Sequence, residues 1–434
     1  TVYIPEGNFT WTEDYLPIPG GVSIIGAGLE KTIITAGIKL TCMFDVNHSG
    51  EYWQPLRISG ISFVGGNDQY QSQSAIDIAN IRDFRIDHCD FKNFSYTINI
   101  GSRKGYPSSR GVIDHCSFKS YGPAYGVSVR DYNWKDIYER WVNYFGKAEA
   151  VFIEDCTFID FGHPTAAFGG GHYVARHNTF LGINSDVSFP LDGHGPGFEE
   201  SGRGTRIMEI YDNLIEERYP YVGQLNWRAI GPRAGSGIIT NNVIRNFRHA
   251  VIFTLDTNTT EYPALDQIHD YYIWNNTLEN ITEEPVWIYG EVPEQLIQEN
   301  RDYFLRAPSQ ELDGFTYTPY TYPHPLVEGT EQPPTSSGGV RNRPNPFRAG
   351  KEETLIEYNL SQPSNVTITI YDLFGQEIWR KSYKAGENGG SSVNSVPWDG
   401  RNLAGQVVGN GGYICRIWIE REKRHMIRKI AVAK

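Results

Sequence analysis

Apolar positions recur in a fixed frame through the first three quarters of the chain. The phrase FRIDHCDFKNF (84–94) returns as GVIDHCSFKSY (111–121) and as VFIEDCTFIDF (151–161). Aligned on its cysteine, one column reads Ile61, Cys89, Cys116, Cys156, Asn178, Asn213, Asn242 and Asn276. Three residues earlier stand Ile58, Ile86, Ile113, Ile153, Ala175, Ile210, Ile239 and Ile273; two residues later stand Phe63, Phe91, Phe118, Phe158, Phe180, Ile215, Ile244 and Leu278. Both flanking columns are apolar in every copy. The copies lie roughly 22 to 40 residues apart, with short strand patterns and no helix pattern in most intervals, which predicts the coils of a parallel β-helix. Coils stacked about 4.8 Å apart place like residues over one another. In such a stack an asparagine bonds the backbone of neighbouring coils, and a cysteine is a small buried hydrophobe. The cysteine column therefore predicts a packed, reduced ladder; a metal or redox centre would need thiolates at closed ligand spacing.

Two insertions interrupt the frame. DYNWKDIYERWVNYFGK, between Cys116 and Cys156, carries Trp134, Ile137, Tyr138, Trp141, Val142 and Phe145 at helical spacing, with Asn133 to cap it and Gly146 to end it. It predicts an amphipathic helix on the solenoid's flank, with a lid or partner contact as the functional alternative. GINSDVSFPLDGHGPGFEESGRG, between Asn178 and Asn213, reads as a loop rich in ionisable residues. EGTEQPPTSSGGVRN (328–342) is a linker, after which the pattern changes to alternating strands: VTITIYDLFGQEI, then VPWDGRNLAGQVVGNGGYICRIWI. The expected division is a solenoid over 1–327, a linker over 328–342 and a β-sandwich over 343–434.

The opening TVYIPEGNF…GGVSIIGAGLEKTII and the closing RDYFLRAP…TPYTYPHPL resemble the pectate-lyase-like, right-handed parallel β-helix superfamily. That fold hosts lyases, hydrolases, tailspikes, adhesins and inert surface proteins, so the resemblance implies an architecture and no single reaction. NPF (345–347), YDLFG (371–375), WDGRN (398–402) and the final RKIAVAK resemble the FlgD-type immunoglobulin-like module, which in many relatives is similar to the sorting signal of type IX secretion. The resemblance implies an exported, extracellular or cell-surface protein, and the opening TVYIPEGNF, already in strand pattern, leads to the expectation that a leader has been removed. The fold expectation is all-β: a right-handed parallel β-helix, then a small Ig-like β-sandwich.

Composition narrows the partners. A formal charge of −12 over 434 residues argues against a nucleic-acid binder. No apolar run is long enough for a membrane span. Five cysteines are too few and too oddly counted for a disulfide scaffold.

Candidate chemistry lies in two places. Asp87, Asp114 and Glu154 end successive copies of one strand and predict an acidic stripe with His88, His115 and His177 beside it; stacked carboxylates would hold Ca²⁺, as the resembled lyases do, unless they serve as polar turn residues. The second place joins ARHNTF (175–180), LDGHGPG (191–197) and GTRIMEIYDN (204–213), with Arg176, His177, Asp192, His194, Arg206, Glu209 and Tyr211 as candidates. Lysis of a polyuronate needs a cation, a base and an acid, roles that suit Arg176, His194 and Tyr211. Hydrolysis needs two carboxylates, for which Asp186, Asp192 and Glu209 are the choices. The GHG at 193–195 is similar to the Gly-His-Gly turn of polygalacturonases, whose paired aspartates and RIK have no match here. Trp227, Tyr219, Tyr221, Trp274 and Trp287 would either line a sugar-binding face or form side-chain stacks. Two functions follow: an extracellular protein that binds or cleaves a polysaccharide or cell-surface glycan, or a non-catalytic surface or filament-forming protein that self-associates.

Overall fold

A computed structural model describes residues 1–19, 21–38, 40–47, 55–66, 72–102, 108–131, 141–182, 191–196, 203–218, 226–256, 261–328, 340–360, 362–372, 376–388, 393–421 and 424–432. Two compact units divide the chain, Thr1–Glu328 and Gly329–Lys434. The first is a right-handed parallel β-helix with three strand faces per coil. Its first face is an eleven-stranded parallel sheet among the described residues, running from Val2–Tyr3 through Arg82–Asp87, Val151–Glu154 and His172–Arg176 to Tyr303–Phe304. The second face carries short strands such as Asp90–Lys92 and Leu214–Glu217; the third carries Tyr96–Gly101, Leu191–Gly193 and Asn226–Pro232.

The predicted columns hold in register. Ile58 pairs with Ile86, then Ile113, Ile153, Ala175, Ile210, Ile239 and Ile273, one rung at a time. On the second face Phe63, Phe91, Phe118, Phe158 and Phe180 pair likewise, with ring centroids 4.4–5.2 Å apart and near-parallel planes. Both columns point into the core. The column before the ladder residue makes the corner between the first two faces. Gly60, His88, His115, Asp155, His177, Asp212, Asn241 and Asn275 all have φ between 49° and 70°, in the left-handed region that glycine and asparagine tolerate best.

Cysteine and asparagine can fill the same ladder column because each donates to the equivalent carbonyl. Cys89, Cys116 and Cys156 point Sγ at the carbonyls of Ile58, Ile86 and Ile113, at 3.9, 3.7 and 3.6 Å. Asn178, Asn213, Asn242 and Asn276 donate Nδ2 to the carbonyls of Ile153, Ala175, Ile210 and Ile239, at 2.8–3.0 Å. The amide also offers an acceptor, and Oδ1 of each asparagine takes the backbone N–H of the ladder residue one rung before it, at 2.9–3.1 Å. All five cysteines are free and buried, and burial pushes the Cys89 and Cys116 thiols well above their ordinary range. Neither behaves as a thiolate at neutral pH.

The helix expected over 133–146 falls largely on residues outside the described set; its end is a short 3₁₀ turn, Trp141–Tyr144. Residues 315–328 run back across the outer side of the first face. Tyr317, Tyr320, Leu326 and Val327 pack on Val112, Phe152, Val174 and Tyr211. The second unit has a three-stranded antiparallel sheet, Val340–Arg343, Thr354–Asn359 and Val393–Trp398, and a four-stranded one, Glu377–Tyr383, Val366–Tyr371, Gly411–Ile419 and Arg424–Val432. Trp398, Tyr358, Phe347, Ile368, Ile417 and Ile430 belong to its shared core. The strand Val340–Arg343 begins inside the span, 328–342, that composition reads as linker.

Removing one ladder amide strands buried backbone groups on both sides. Asn213→Ala should lower the unfolding free energy by about 2–4 kcal/mol, and Asn213→Cys, which keeps a donor, by clearly less. Urea denaturation of both variants checks this; equal losses would contradict the shared-acceptor account.

Candidate functional site

The candidates from the sequence fall on two different faces of the solenoid. Those of the first face are structural. Asp87 accepts from Arg57 at 2.7 and 2.8 Å, from Ser59 Oγ at 2.8 Å, and lies 2.9 Å from His88 Nδ1. Asp114 accepts from both Nε and Nη2 of Arg85 at 2.7 Å, with His115 Nδ1 at 2.9 Å. Glu154 accepts from Arg176 and from the backbone N–H of His324. The acidic stripe is therefore fully buried and bonded to an arginine ladder. Burial pushes Asp87 up, but the neighbouring Arg57 and Arg85 outweigh it and hold the carboxyl below its ordinary range. A calcium site needs several oxygen ligands around one ion, and these oxygens already face guanidinium groups, so the residues do not fit Ca²⁺.

Arg176, Glu209 and Tyr211 anchor the returning segment. Arg176 is wholly buried; it donates to Glu154, to Tyr211 Oη at 3.2 Å and to the carbonyls of Tyr320 and Thr321 at 2.6 and 2.9 Å. Glu209 accepts from Tyr317 Oη at 2.7 Å and from Gly146 N–H at 3.0 Å, with His172 Nε2 at 3.1 Å. His177 is a corner residue whose ring centroid lies 3.7 Å from that of Tyr322. Arg206 precedes the strand Ile207–Tyr211, with Nη2 3.7 Å from Asp131. The expected grouping of Arg176 and Tyr211 with His194 is thus corrected. Strand alternation turns Arg176, Glu209 and Tyr211 outward on the first face, beneath residues 315–328, whereas Asp192 and His194 belong to the third face. Asp186, Tyr219 and Tyr221 lie outside the described residues.

On the third face Asp192 is the centre of a cluster. Its neighbours in the strand, Leu191 and Gly193, turn inward, so Asp192 and His194 turn out. Asp192 Oδ2 accepts from Arg233 Nη2 at 2.5 Å, and lies 3.1 Å from His194 Nε2 and 3.4 Å from His163 Nδ1. Arg233 Nη2 also bonds His194 Nδ1, and Nη1 reaches Asp256 at 3.4 Å. The guanidinium only donates, so His194 accepts at Nδ1 and carries its proton on Nε2, toward Asp192. Tyr125 stacks on His163, centroids 4.6 Å apart, and places Oη 3.5 Å from His194 Nε2. Phe168 stacks on the His194 ring at 4.0 Å. Arg228 folds over Gly231, where a Cβ would lie 2.7 Å from its Nε; a Cβ on Gly195 would meet Asp256 at the same distance. Both glycines make room for charged side chains. Asp192 Oδ1 is buried with no hydrogen-bond partner among the described residues.

Charge states follow from this packing. Burial pushes Asp192 up, but Arg233 and the two histidines outweigh it and hold the carboxyl far below its usual range. Burial pushes His194 down to about 3 and His163 down to about 4, against the opposing pull of Asp192. Burial pushes the Tyr125 phenol up to about 12 and lowers Arg228 to about 10. Burial also raises Asp256. At neutral pH the Asp192 carboxylate faces two neutral imidazoles, a protonated phenol and two guanidinium groups. His163, Asp192 and His194 bring three donor atoms within 4.8 Å, but Arg233 already supplies the positive charge a metal ion would bring.

The sequence pointed to Asp192 and His194 and missed His163, Arg233, Arg228, Tyr125 and Asp256. The signal for His163 and Arg228 was a large polar residue in a strand with small and apolar members; Arg233 and Asp256 lie beyond strand ends.

A family profile matches residues 345–418. The C-terminal unit carries a FlgD Ig-like domain. Comparison with curated proteins gives no match. Among solved structures, PorZ, described as an essential bacterial surface component of the type-IX secretion system of Porphyromonas gingivalis, is similar over 22% of this chain at 21% identity and a TM-score of 0.17. The chain spans 11% of the length of PorZ and 9% of that of PorU, the next solved protein. The A-module of the Azotobacter vinelandii mannuronan C-5 epimerase AlgE4 is similar over 67% of this chain and 89% of its own, at 12% identity and a TM-score of 0.34. The tailspike protein 2 of bacteriophage CBA120 covers 98% of this chain and 72% of its own, at 9% and 0.34. No helix among the described residues is long and apolar enough to cross a membrane.

Two outcomes test these assignments. Arg176→Ala leaves Glu154 buried without its cation, so it should cost about 3–5 kcal/mol of stability, seen as a lowered urea midpoint. The depressed histidines favour the unfolded state as pH falls through their unfolded value near 6.5. The unfolding free energy should therefore drop by about 1.4 kcal/mol per pH unit for each such histidine between pH 6.5 and 4. Asp192 adds a further loss below its ordinary pKa. Denaturation curves at stepped pH measure the slope; a flat profile over that window would contradict neutral buried histidines.

Proposed function

We propose that the protein is an exported polysaccharide-acting enzyme that cleaves a uronate-containing chain by β-elimination on the third face of the solenoid. The observation that supports this reading best is the Asp192 cluster. Its two neutral imidazoles, phenol and two guanidinium groups exceed anything the rung needs for hydrogen bonding. Elimination beside a uronate carboxylate requires three things. Positive charge must neutralise the carboxylate so that the C5 proton becomes acidic. A base must take that proton, and an acid must protonate the departing glycosidic oxygen.

Arg228 and Arg233 supply the charge. His163 is neutral above pH 4; with Nδ1 toward Asp192, it turns Nε2 away as the base. Tyr125, stacked on that ring and kept protonated by burial, supplies the acid. The C5–H bond breaks to His163, the C4–O bond breaks with proton delivery from Tyr125, and a C4=C5 double bond forms. The net change moves one proton from carbon to the leaving oxygen, so no co-reactant is needed. Asp192 and His194 position these groups and do not touch the sugar.

The hydrolytic alternative needs two carboxyl groups flanking the bond, one of them protonated. Asp192 is buried, held ionised and bonded to Arg233, and Glu209 lies on the other face under Tyr317. Among the described residues of the cluster Asp256 is a reachable carboxyl, with its side chain 30% exposed; Asp186 lies outside the described residues. Export is supported by the FlgD Ig-like domain, a module similar to the type IX sorting signal in many relatives.

Incubation with polygalacturonate, alginate and glycosaminoglycans should release 4,5-unsaturated products, followed by ultraviolet absorbance. Tyr125→Phe and His163→Ala should each lower kcat by about 10²–10⁴-fold with the fold intact. The acid limb of the rate profile should fall near pH 4, not near 6.5. Reducing ends without unsaturation would favour hydrolysis, and no product from any polymer, together with ordered assemblies in electron micrographs, would favour a structural role.

A further inference from the structure

Beyond the Asp192 cluster the outer side of the third face changes character. In strand register Asp192 is followed by Gly231, then by the position of Ile252, then by Trp287. Three rungs at ~4.8 Å each put Trp287 about 14 Å along the solenoid axis from Asp192. Trp287 stacks on His249 at 4.8 Å and meets Tyr289 at 5.4 Å; Trp227 stands edge-on to Tyr289 at 4.6 Å. Arg228 joins the two regions, since its guanidinium lies 5.6 Å from the Trp227 ring and also bears on Asp192. Trp227 and Trp287 are partly exposed, and Tyr289 is 47% exposed.

The charges beside these rings are largely paired with one another. Glu283 and Glu284 lie shortly before the strand Val286–Ile288 that carries Trp287, and Glu279 lies in the preceding strand Thr277–Ile281. The neighbouring cations are committed: Arg245 to Glu279 at 2.8 Å and Arg248 to Glu283 at 2.5 Å. A second uronate here would find these two arginines already bonded to carboxylates, with the exposed Glu284 nearby. A neutral sugar would lay its apolar C–H face on the indole rings and offer hydroxyls to the glutamates.

We propose that Trp227, Trp287 and Tyr289 form a subsite for a neutral sugar, so that the substrate is a mixed polymer. A uronate sits at Arg228 and Arg233, and the chain runs along the solenoid axis to an uncharged residue on the aromatic platform. This deepens the elimination reading and rests on it for the position of the uronate.

The test compares the full-length protein with Trp287→Ala and Tyr289→Ala on two homopolyuronates, polygalacturonate and alginate, and on hyaluronan, in which glucuronate alternates with an uncharged amino sugar. The mixed polymer should show the lower KM. Each variant should raise that KM roughly tenfold or more with kcat within about twofold of the parent, because the platform binds the sugar without touching the reacting atoms. Thermal unfolding confirms that the variants are folded, and the exposed Tyr289 covers the case in which Trp287→Ala fails to fold. Preference for a homopolyuronate, or an unchanged KM in a folded Tyr289→Ala, would overturn the subsite. If no uronate polymer is cleaved, the elimination reading fails by itself. Titration with cellohexaose then judges the platform alone: binding lost in Tyr289→Ala retains it, and no binding overturns it.

Discussion

In-register parallel stacking governs the rest of this structure. Each residue of one coil lies directly over its counterpart in the next, so a side chain chosen at one position constrains the whole column. Apolar columns become continuous core, as the Phe63-to-Phe180 stack shows. Polar columns must satisfy themselves within the stack, because water does not reach them. The ladder from Cys89 to Asn276 does this with one acceptor carbonyl per rung, and the arginine–carboxylate pairs of the first face do it with one cation per anion.

That rule also separates scaffold from chemistry. On the first face Asp87, Asp114 and Glu154 each meet an arginine from an adjacent strand, Glu209 is held by hydrogen bonds, and residues 315–328 seal the result. Removing one partner there would be costly, while the pairs themselves act chiefly as specific ties. On the third face the rule is broken. Asp192 stands between Ala166 and Gly231 on the adjoining rungs and gathers His163, His194 and Arg233 around it, while burial depresses two imidazoles and raises a phenol. Perturbed groups of this kind, gathered on an outward face beside aromatic rings, mark a site for a ligand more than a support for the coil.

Reading outward from the sequence, the architecture was legible because its signal is repeated. Eight copies fixed the two apolar columns, and the residue before each ladder position proved to be the left-handed corner. The site was only half legible. Asp192 and His194 stood out as charged residues in a loop-like stretch, but linear proximity also drew in Arg176 and Tyr211, which strand alternation carries to another face. His163 and Arg233 were missed because they meet Asp192 only through the stacking of third-face strands, whose register shifts around Gly122 and Tyr125 break the simple repeat. The calcium expectation took a column of carboxylates as vacant oxygens. Its arginines, Arg57, Arg85 and Arg176, were visible in the sequence, but their pairing depends on which rung each one reaches.

The central claim is that a uronate binds at the third face against Arg228 and Arg233. A crystal structure of the protein soaked with a uronate oligosaccharide tests it most directly. The account predicts a sugar carboxylate bonded to those two guanidinium groups, with C5 turned toward His163 and the glycosidic oxygen toward Tyr125. Sugar density on another face, or at the cluster with the carboxylate pointing away from both arginines, would contradict it.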